Sequence, residues 1–212
     1  MAIKIITDSS CDLARAYIDN NNIGLLSLVL NLNGEVIKDD LGKTLSYKDF
    51  YEQMREGATP TTSQVNAHEF EEEFVKSVQN GDSIICITIS SALSGTFNSA
   101  NIARNNILEE YPDAKIFLID SLSVASGQGL LVVKACEMRN KGLGVEEIAT
   151  WLEENKKKVV HSFVVDSLSH LKRGGRISGA TAAIGGLLNI KPSLYIDDEG
   201  KVAQGEKIKG KK

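Results

Sequence analysis

Cysteine is scarce in this 212-residue sequence, and its three positions are far apart. Cys11, Cys86 and Cys136 are odd in number and form no Cys-x-x-Cys pair. This spacing argues against a disulfide framework and against a zinc site, and it is typical of a reducing compartment. The sequence therefore predicts a cytoplasmic protein with no metal site.

Long apolar runs and an excess of one charge are also missing. No run approaches the ~18 apolar residues of a membrane span, and the N-terminus lacks the basic start and apolar core of a signal peptide. The formal net charge of −4 provides no global field that would attract nucleic acid. Lys207, Lys209, Lys211 and Lys212 near the C-terminus are interpreted as a solvated tail, with nucleic-acid binding as the alternative.

The apolar residues that are present alternate between strand-like and helix-like spacing. "SIICITI" (83–89) is a continuous β-branched run typical of a buried parallel strand, and helical spacing follows it. "VVHSFVVD" (159–166) predicts a further strand, and "SYKDFYEQMREG" (46–57) has helical spacing. Two strand-like runs around the turn signal "NLNG" (31–34) predict a hairpin. Repeated alternation predicts an α/β fold with a mainly parallel sheet. We expect an N-terminal α/β domain over 1–158 and the start of a second α/β domain over 159–212. This second segment is too short to bury a core by itself, so either it packs on the first domain or the second domain is incomplete.

Small hydroxyls and aspartates follow the predicted strands. In open parallel sheets these strand ends meet at one edge, where ligands bind, although Ser and Asp also cap helices there. Ser94, Gly95 and Thr96 fall at the start of a predicted helix, where free N–H groups and the helix dipole favour a small anion. Phosphate and carboxylate both fit this position. The strand ends concerned are "IITDSS" (5–10), "ITISS" (87–91), "LIDS" (118–121) and "VVDS" (164–167).

Motifs for nucleotide binding and for catalysis are absent or incomplete. There is no P-loop, no G-x-S-x-G and no H-E-x-x-H, and "GQGLLV" (127–132) satisfies only part of G-x-G-x-x-G. His161, within a predicted apolar strand, is interpreted as a hydrogen-bonded structural residue. The sequence therefore favours a binding protein over an enzyme. The alternative is a hydrolase or phosphotransferase that uses Ser94 or Ser91 with Asp8 or Asp120.

Two further segments are unusual in composition. "TPTTSQ" (59–64) gathers hydroxyls on a stretch that Pro60 makes stiff and extended. Residues 171–192 contain a turn at Gly174–Gly175 followed by a predicted helix of small residues, which indicates either close packing or room for a narrow apolar ligand. The small residues of that helix are Ala180, Ala182, Ala183, Gly185 and Gly186.

Six motifs occur in a fixed order along the chain: "TDSSCDL" (7–13), "TSQ" (62–64), "ISSALSGTFNSA" (89–100), "DSLSVASGQGL" (120–130), "LKRGGRIS" (171–178) and "IKPSL" (190–194). Together they resemble the DegV family of bacterial fatty-acid-binding proteins. The resemblance implies two α/β domains with one long-chain fatty acid buried between them, no cofactor and no catalytic activity of the chain's own. It also implies a partner kinase that phosphorylates the fatty-acid carboxylate, and membrane contact that is only transient, for ligand exchange.

The resemblance also implies roles for individual residues. The carboxylate contacts fall on Thr62 and Ser94, where hydroxyl and backbone donors would hold the carboxylate without a metal or an arginine clamp. The family usually continues well beyond the end of this sequence, so the chain is expected to be shortened. The remaining ligand-binding residues implied are Ser63, Gly95 and Thr96, and the partner-binding residues are Lys172, Arg173, Arg176 and Lys209, the last near a position where the family commonly has arginine.

Overall fold

Three sheets and seven helices are formed by the residues that the computed structural model of the chain describes, which are 2–165, 168–177 and 190–209. The strands are β1 (Ile3–Asp8), β2 (Gly24–Leu26), β3 (Val29–Leu32), β4 (Glu35–Lys38), β5 (Thr61–Ser63), β6 (Ser83–Thr88), β7 (Ile116–Asp120), β8 (Ser162–Val164), β9 (Ile190–Ile196) and β10 (Val202–Lys209). The helices are α1 (Arg15–Asn20), α2 (Tyr47–Arg55), α3 (Ala67–Gln79), α4 (Thr96–Glu110), α5 (Ser126–Asn140), α6 (Val145–Asn155) and α7 (Ser169–Gly174).

The central sheet is parallel, with the strand order β2-β1-β6-β7. Successive side chains of a strand point to opposite faces of the sheet. The middle strands are buried on both faces because helices pack against each of them. Ile5 and Ile85 pack towards α5 and α6, whereas Ile6 and Cys86 pack towards α3 and α4. These two cores produce a three-layer α/β arrangement, and the predicted fold class is confirmed.

A second, antiparallel sheet has the order β4-β3-β5. Its hairpin turns at Asn33 and Gly34, which both have positive φ (54° and 86°). Two central residues with positive φ match the twist of the flanking strands, and Asn-Gly is the pair that tolerates it best. The sequence predicts this hairpin. It predicts only an extended segment at 59–64, where the structure has β5 paired with β3.

The third sheet, β10-β9-β8, is also antiparallel and belongs to the C-terminal part of the chain. The strand predicted over 159–166 is too long, since β8 covers only Ser162–Val164 and Val160 is 88% exposed. The predicted helix of small residues lies outside the described residues, as do Asp166 and Ser167. The division at residue 158 stays a prediction.

The loop after β6 links the first sheet to the C-terminal part. The Ser90 hydroxyl donates to the carbonyl oxygen of Gly200 at 2.8 Å, and Arg176 Nε donates to the carbonyl oxygen of Leu93 at 3.0 Å. Among the residues described, no helix is both long and apolar enough to cross a membrane.

Candidate functional site

The carboxyl edge of the parallel sheet is held together by buried Asp8. Its Oδ2 accepts the backbone N–H of Ile89 at 2.8 Å, and its Oδ1 accepts the N–H of Ser10 at 3.1 Å and also contacts the Ser10 hydroxyl. Burial raises the pKa of Asp8, against the lowering effect of these hydrogen bonds. Asp8 also caps the 3-10 turn Ser9–Cys11, so the capping interpretation is confirmed for this residue.

Gln128 of α5 extends this buried network. Its Nε2 donates to Thr7 Oγ1 at 3.1 Å, and its Oε1 accepts from Ser10 Oγ at 2.8 Å. The Thr7 hydroxyl in turn donates to the carbonyl oxygen of Ile87 at 2.8 Å. Sequence reasoning did not identify Gln128, because a single glutamine inside a helix gives no pattern that distinguishes it from a surface residue.

Ser94 lies directly before α4, at the position where the sequence predicts a helix start. Its Oγ is 2.9 Å from Thr96 Oγ1 and accepts the Thr96 N–H at 3.3 Å. Thr96 is buried behind it. A Cβ on Gly95 would overlap Gln64 Oε1, so a larger residue there would have to displace the Gln64 side chain from its place against this turn.

Strand β5 brings Thr62 and Ser63 to the same region. Thr62 pairs with Leu30 of β3, and both hydroxyl residues are exposed. Gln64 Nε2 donates to Ser99 Oγ at 2.9 Å, which fixes the end of β5 against α4. Thr62, Ser63 and Ser94 are thereby brought to one place, although they come from distant parts of the sequence.

These three residues line a cavity of about 810 Å³. Gly95 and Thr96 are not among its lining residues. Most of the wall is apolar, and it comes from both the N-terminal and the C-terminal parts of the chain. The apolar lining residues are Leu28, Leu30, Phe50, Met54, Pro60, Ile89, Leu93, Val124, Phe163, Leu171 and Val202.

Two arginines at the C-terminal end of α7 line the same cavity. Arg173 Nη2 is 2.8 Å from His170 Nδ1, and Arg176 reaches the loop before Ser94 through its bond to Leu93. Both arginines are among the residues to which the resemblance gives a partner-binding role, and that role stays a prediction. Lys172 is exposed and does not line the cavity, and Lys209 ends β10 with a side chain outside the described part of the chain.

The serine-based alternative lacks the hydrogen bonds that activate a nucleophile. Within the described residues, Ser94 Oγ is bonded to Thr96 alone. Asp8 accepts from Ile89 and Ser10, and Asp120 Oδ1 accepts the N–H of Ser91 at 3.1 Å. A serine nucleophile needs a base within hydrogen-bond reach of its hydroxyl, and among the described contacts neither aspartate is bonded to the hydroxyl of Ser94 or Ser91.

The structure contradicts the interpretation of His161 as a hydrogen-bonded residue within a strand. It precedes β8, and both ring nitrogens are buried without a hydrogen-bond partner among the described residues. The ring packs so closely on Gly127 that a Cβ there would overlap Nε2. Over the same described ranges, no group of three or more His, Cys, Asp or Glu residues is arranged to hold a metal ion.

Comparison with known proteins gives consistent matches across the whole chain. A family model described as "Uncharacterised protein, DegV family" matches residues 2–212. A DegV domain-containing protein of Clostridium perfringens is 48% identical over 208 residues, which are 98% of this chain and 72% of that protein.

Solved structures show the same similarity. A stearic-acid-binding protein from Eubacterium ventriosum has a TM-score of 0.90 at 31% identity, covering 100% of this chain and 72% of that chain. The fatty-acid-binding DegV protein of Bacillus subtilis has a TM-score of 0.82 at 33% identity, covering 100% of this chain and 73% of that one. The chain therefore belongs to the DegV family.

Proposed function

We propose that this chain binds one long-chain fatty acid in the 810 Å³ cavity, with the ligand's carboxylate held by Thr62 and Ser94. The chain acts as a carrier and presents the carboxylate to a fatty acid kinase, which forms the acyl phosphate. The observation that carries the proposal is that two hydroxyl residues from separate elements line the same large and mostly apolar cavity.

The cavity has the chemistry that an acyl chain needs. Ligand pockets commonly have volumes of about 300–1,000 Å³ and are mostly apolar with a few polar groups that orient the ligand. Each buried methylene contributes about 0.8 kcal/mol, so the acyl chain supplies most of the affinity. Relatives of similar fold are described as binding stearic, vaccenic and heptadecanoic acids, which are all long-chain fatty acids.

The polar end of the cavity favours a carboxylate. Hydroxyls of Thr62 and Ser94 donate without carrying charge, and hydrogen bonds to a charged acceptor are about twice as strong as those between neutral groups. Arg173 and Arg176 add positive charge to the same cavity. Ser63, next to Thr62, lines the cavity as a further donor.

Presentation to a kinase, rather than chemistry by the chain itself, fits the absence of a base bonded to Ser94 in the described part of the chain. The proposed contacts with the kinase are Lys172, which is exposed, Arg173, Arg176 and Lys209. Lys172→Glu is expected to weaken kinase binding while fatty-acid occupancy is unchanged, because Lys172 does not line the cavity. Equal kinase affinity of the two proteins in a titration would remove Lys172 from that surface.

The carboxylate site is tested with the double variant Thr62→Ala/Ser94→Ala. Each lost hydrogen bond to a charged group is expected to weaken binding by about 1.5–3 kcal/mol. The measurement is fatty-acid content after organic extraction and mass spectrometry, together with the dissociation constant for stearate. Ser91→Ala is the matched control, since Ser91 is on the same loop, is exposed and does not line the cavity. Unchanged stearate affinity in the folded double variant would place the carboxylate elsewhere.

A further inference from the structure

Helix α2 covers apolar space rather than a packed core. Its apolar residues Tyr47, Phe50, Tyr51 and Met54 follow helical spacing, yet none of the nine residues of α2 is buried. The two tyrosines are 52% and 54% exposed. Beneath the helix lie the large cavity and a second, smaller cavity of about 290 Å³.

The apolar residues at the two ends of α2 line different cavities, and one residue between them lines both. Tyr47 and Tyr51 line only the small cavity, Met54 lines only the large one, and Phe50 lines both. At 1.5 Å per residue, the step from Tyr47 to Met54 is about 10 Å. Phe50 therefore lies at the boundary between the cavities.

The sheet beneath α2 gives the same order independently. Ile37, Leu30 and Thr62 form one row across β4, β3 and β5, because Leu30 pairs with both of the others. Ile37 lines only the small cavity, whereas Leu30 and Thr62 line both. Ser94, beyond Thr62, lines only the large cavity. Two strand spacings span about 10 Å, which matches the distance along the helix.

Charge distinguishes the two ends of this path. Asp39, Asp40 and Lys38 line the small cavity, where the Lys38 ammonium is already paired with Glu69 at 2.7 Å, and Arg173 and Arg176 line the large one. A carboxylate is repelled by the two aspartates and attracted by the two arginines. The methyl end of the ligand, rather than its carboxylate, is therefore suited to the small cavity.

We propose that the acyl chain runs across this sheet beneath α2, from Ser94 and Thr62 past Phe50 into the small cavity, and that Phe50 and Ile37 determine the chain length accepted. This inference rests on the proposed function, since it assigns the path of the same ligand. Phe50 is the constriction on the path, and Ile37 forms part of the wall that the methyl end reaches.

Two opposite substitutions test the path. Phe50→Ala widens the passage between the two cavities. The affinity for arachidate relative to palmitate is expected to rise about tenfold, because the four additional methylenes of arachidate become partly buried. Ile37→Trp fills the small cavity, so the affinity for stearate relative to myristate is expected to fall about tenfold. Met54→Ala is the control, because Met54 is on the same face of α2 but lines only the large cavity; it should leave both ratios unchanged.

The outcomes separate this inference from the proposed function. The unsubstituted chain and the three variants could all bind fatty acid with the same affinity ratios between long and short chains. That result would overturn the proposed path of the acyl chain and leave the carrier function in place. A change in ratio for Met54→Ala that equals the change for Phe50→Ala would overturn the path too, since the tail would then end inside the large cavity. Absence of fatty-acid binding by the unsubstituted chain would overturn both proposals.

Discussion

Asp8 shows how one residue connects the stability of this protein to pH. The Ser10 hydroxyl has one proton but two acceptors, Asp8 Oδ1 and Gln128 Oε1. Protonated Asp8 would donate to Ser10 Oγ and leave the Ser10 proton for Gln128. Burial, which raises the pKa of Asp8, favours the same protonated form.

The raised pKa predicts a pH dependence with a defined sign. Folded Asp8 binds a proton more tightly than unfolded Asp8, so the free energy of unfolding falls as pH rises from 3.8 to the raised pKa of the folded state. We expect this fall when the unfolding free energy of the unsubstituted chain is compared with that of Asp8→Asn by urea titration across the acidic range. A difference that stays constant with pH, or that grows in favour of the unsubstituted chain, would contradict the assignment.

Gly127 and His161 illustrate a residue-scale feature that the sequence does not reveal. A histidine between apolar residues indicates burial, and its ring nitrogens are indeed buried. The pattern does not indicate that the ring packs against the first turn of α5, because that contact joins residues far apart in the sequence. Prediction of the hydrogen bonds of His161 failed for this reason.

At the scale of elements, the contact between β5 and α4 positions the two proposed carboxylate residues. Gly95 has φ −73°, so the backbone itself does not require glycine there. The end of the Gln64 side chain, which donates to Ser99, occupies the space of a Cβ and would have to move if Gly95 were replaced. This contact fixes the position of Thr62 relative to Ser94.

Substitution of Gly95 tests that contact. Gly95→Ala is expected to displace the Gln64 amide from Ser99, which lowers the free energy of unfolding by about 0.5–1.5 kcal/mol, and to weaken fatty-acid binding. Gln64→Ala removes the obstructing atoms, so the double variant should recover part of the loss. The coupling energy from a urea-unfolding double-mutant cycle is expected to be about 1 kcal/mol. Additive effects of the two substitutions would show that the contact does not position β5.

Elements with continuous or periodic apolar patterns are those that the sequence predicts well. The run at 83–89 becomes β6, and helical spacing correctly indicates α2 and α4. Strand β5 escapes prediction because its Thr-Thr-Ser sequence has no apolar alternation, and its strand conformation depends on pairing with β3. The cavities under α2 are likewise invisible, since an amphipathic helix has the same pattern over a cavity as over a core.

At the scale of the whole molecule, the loop at 89–94 connects the parallel sheet to the C-terminal part. At the start of the loop, the Asp8 carboxylate accepts the N–H of Ile89. Further along, the Ser90 hydroxyl donates to the Gly200 carbonyl, and the Leu93 carbonyl accepts from Arg176. The large cavity is lined by residues that precede this loop in the sequence, such as Met54, and by residues that follow it, such as Phe163. A ligand in the cavity would therefore contact both parts and stabilise their packing.

The crystal structure of the chain bound to stearate tests the central claim most directly. One stearate is expected, with its carboxylate in the large cavity, within about 2.5–3.0 Å of the hydroxyls of Thr62 and Ser94. A carboxylate bound away from both hydroxyls, or a stearate that occupies neither cavity, would contradict the proposed carrier site.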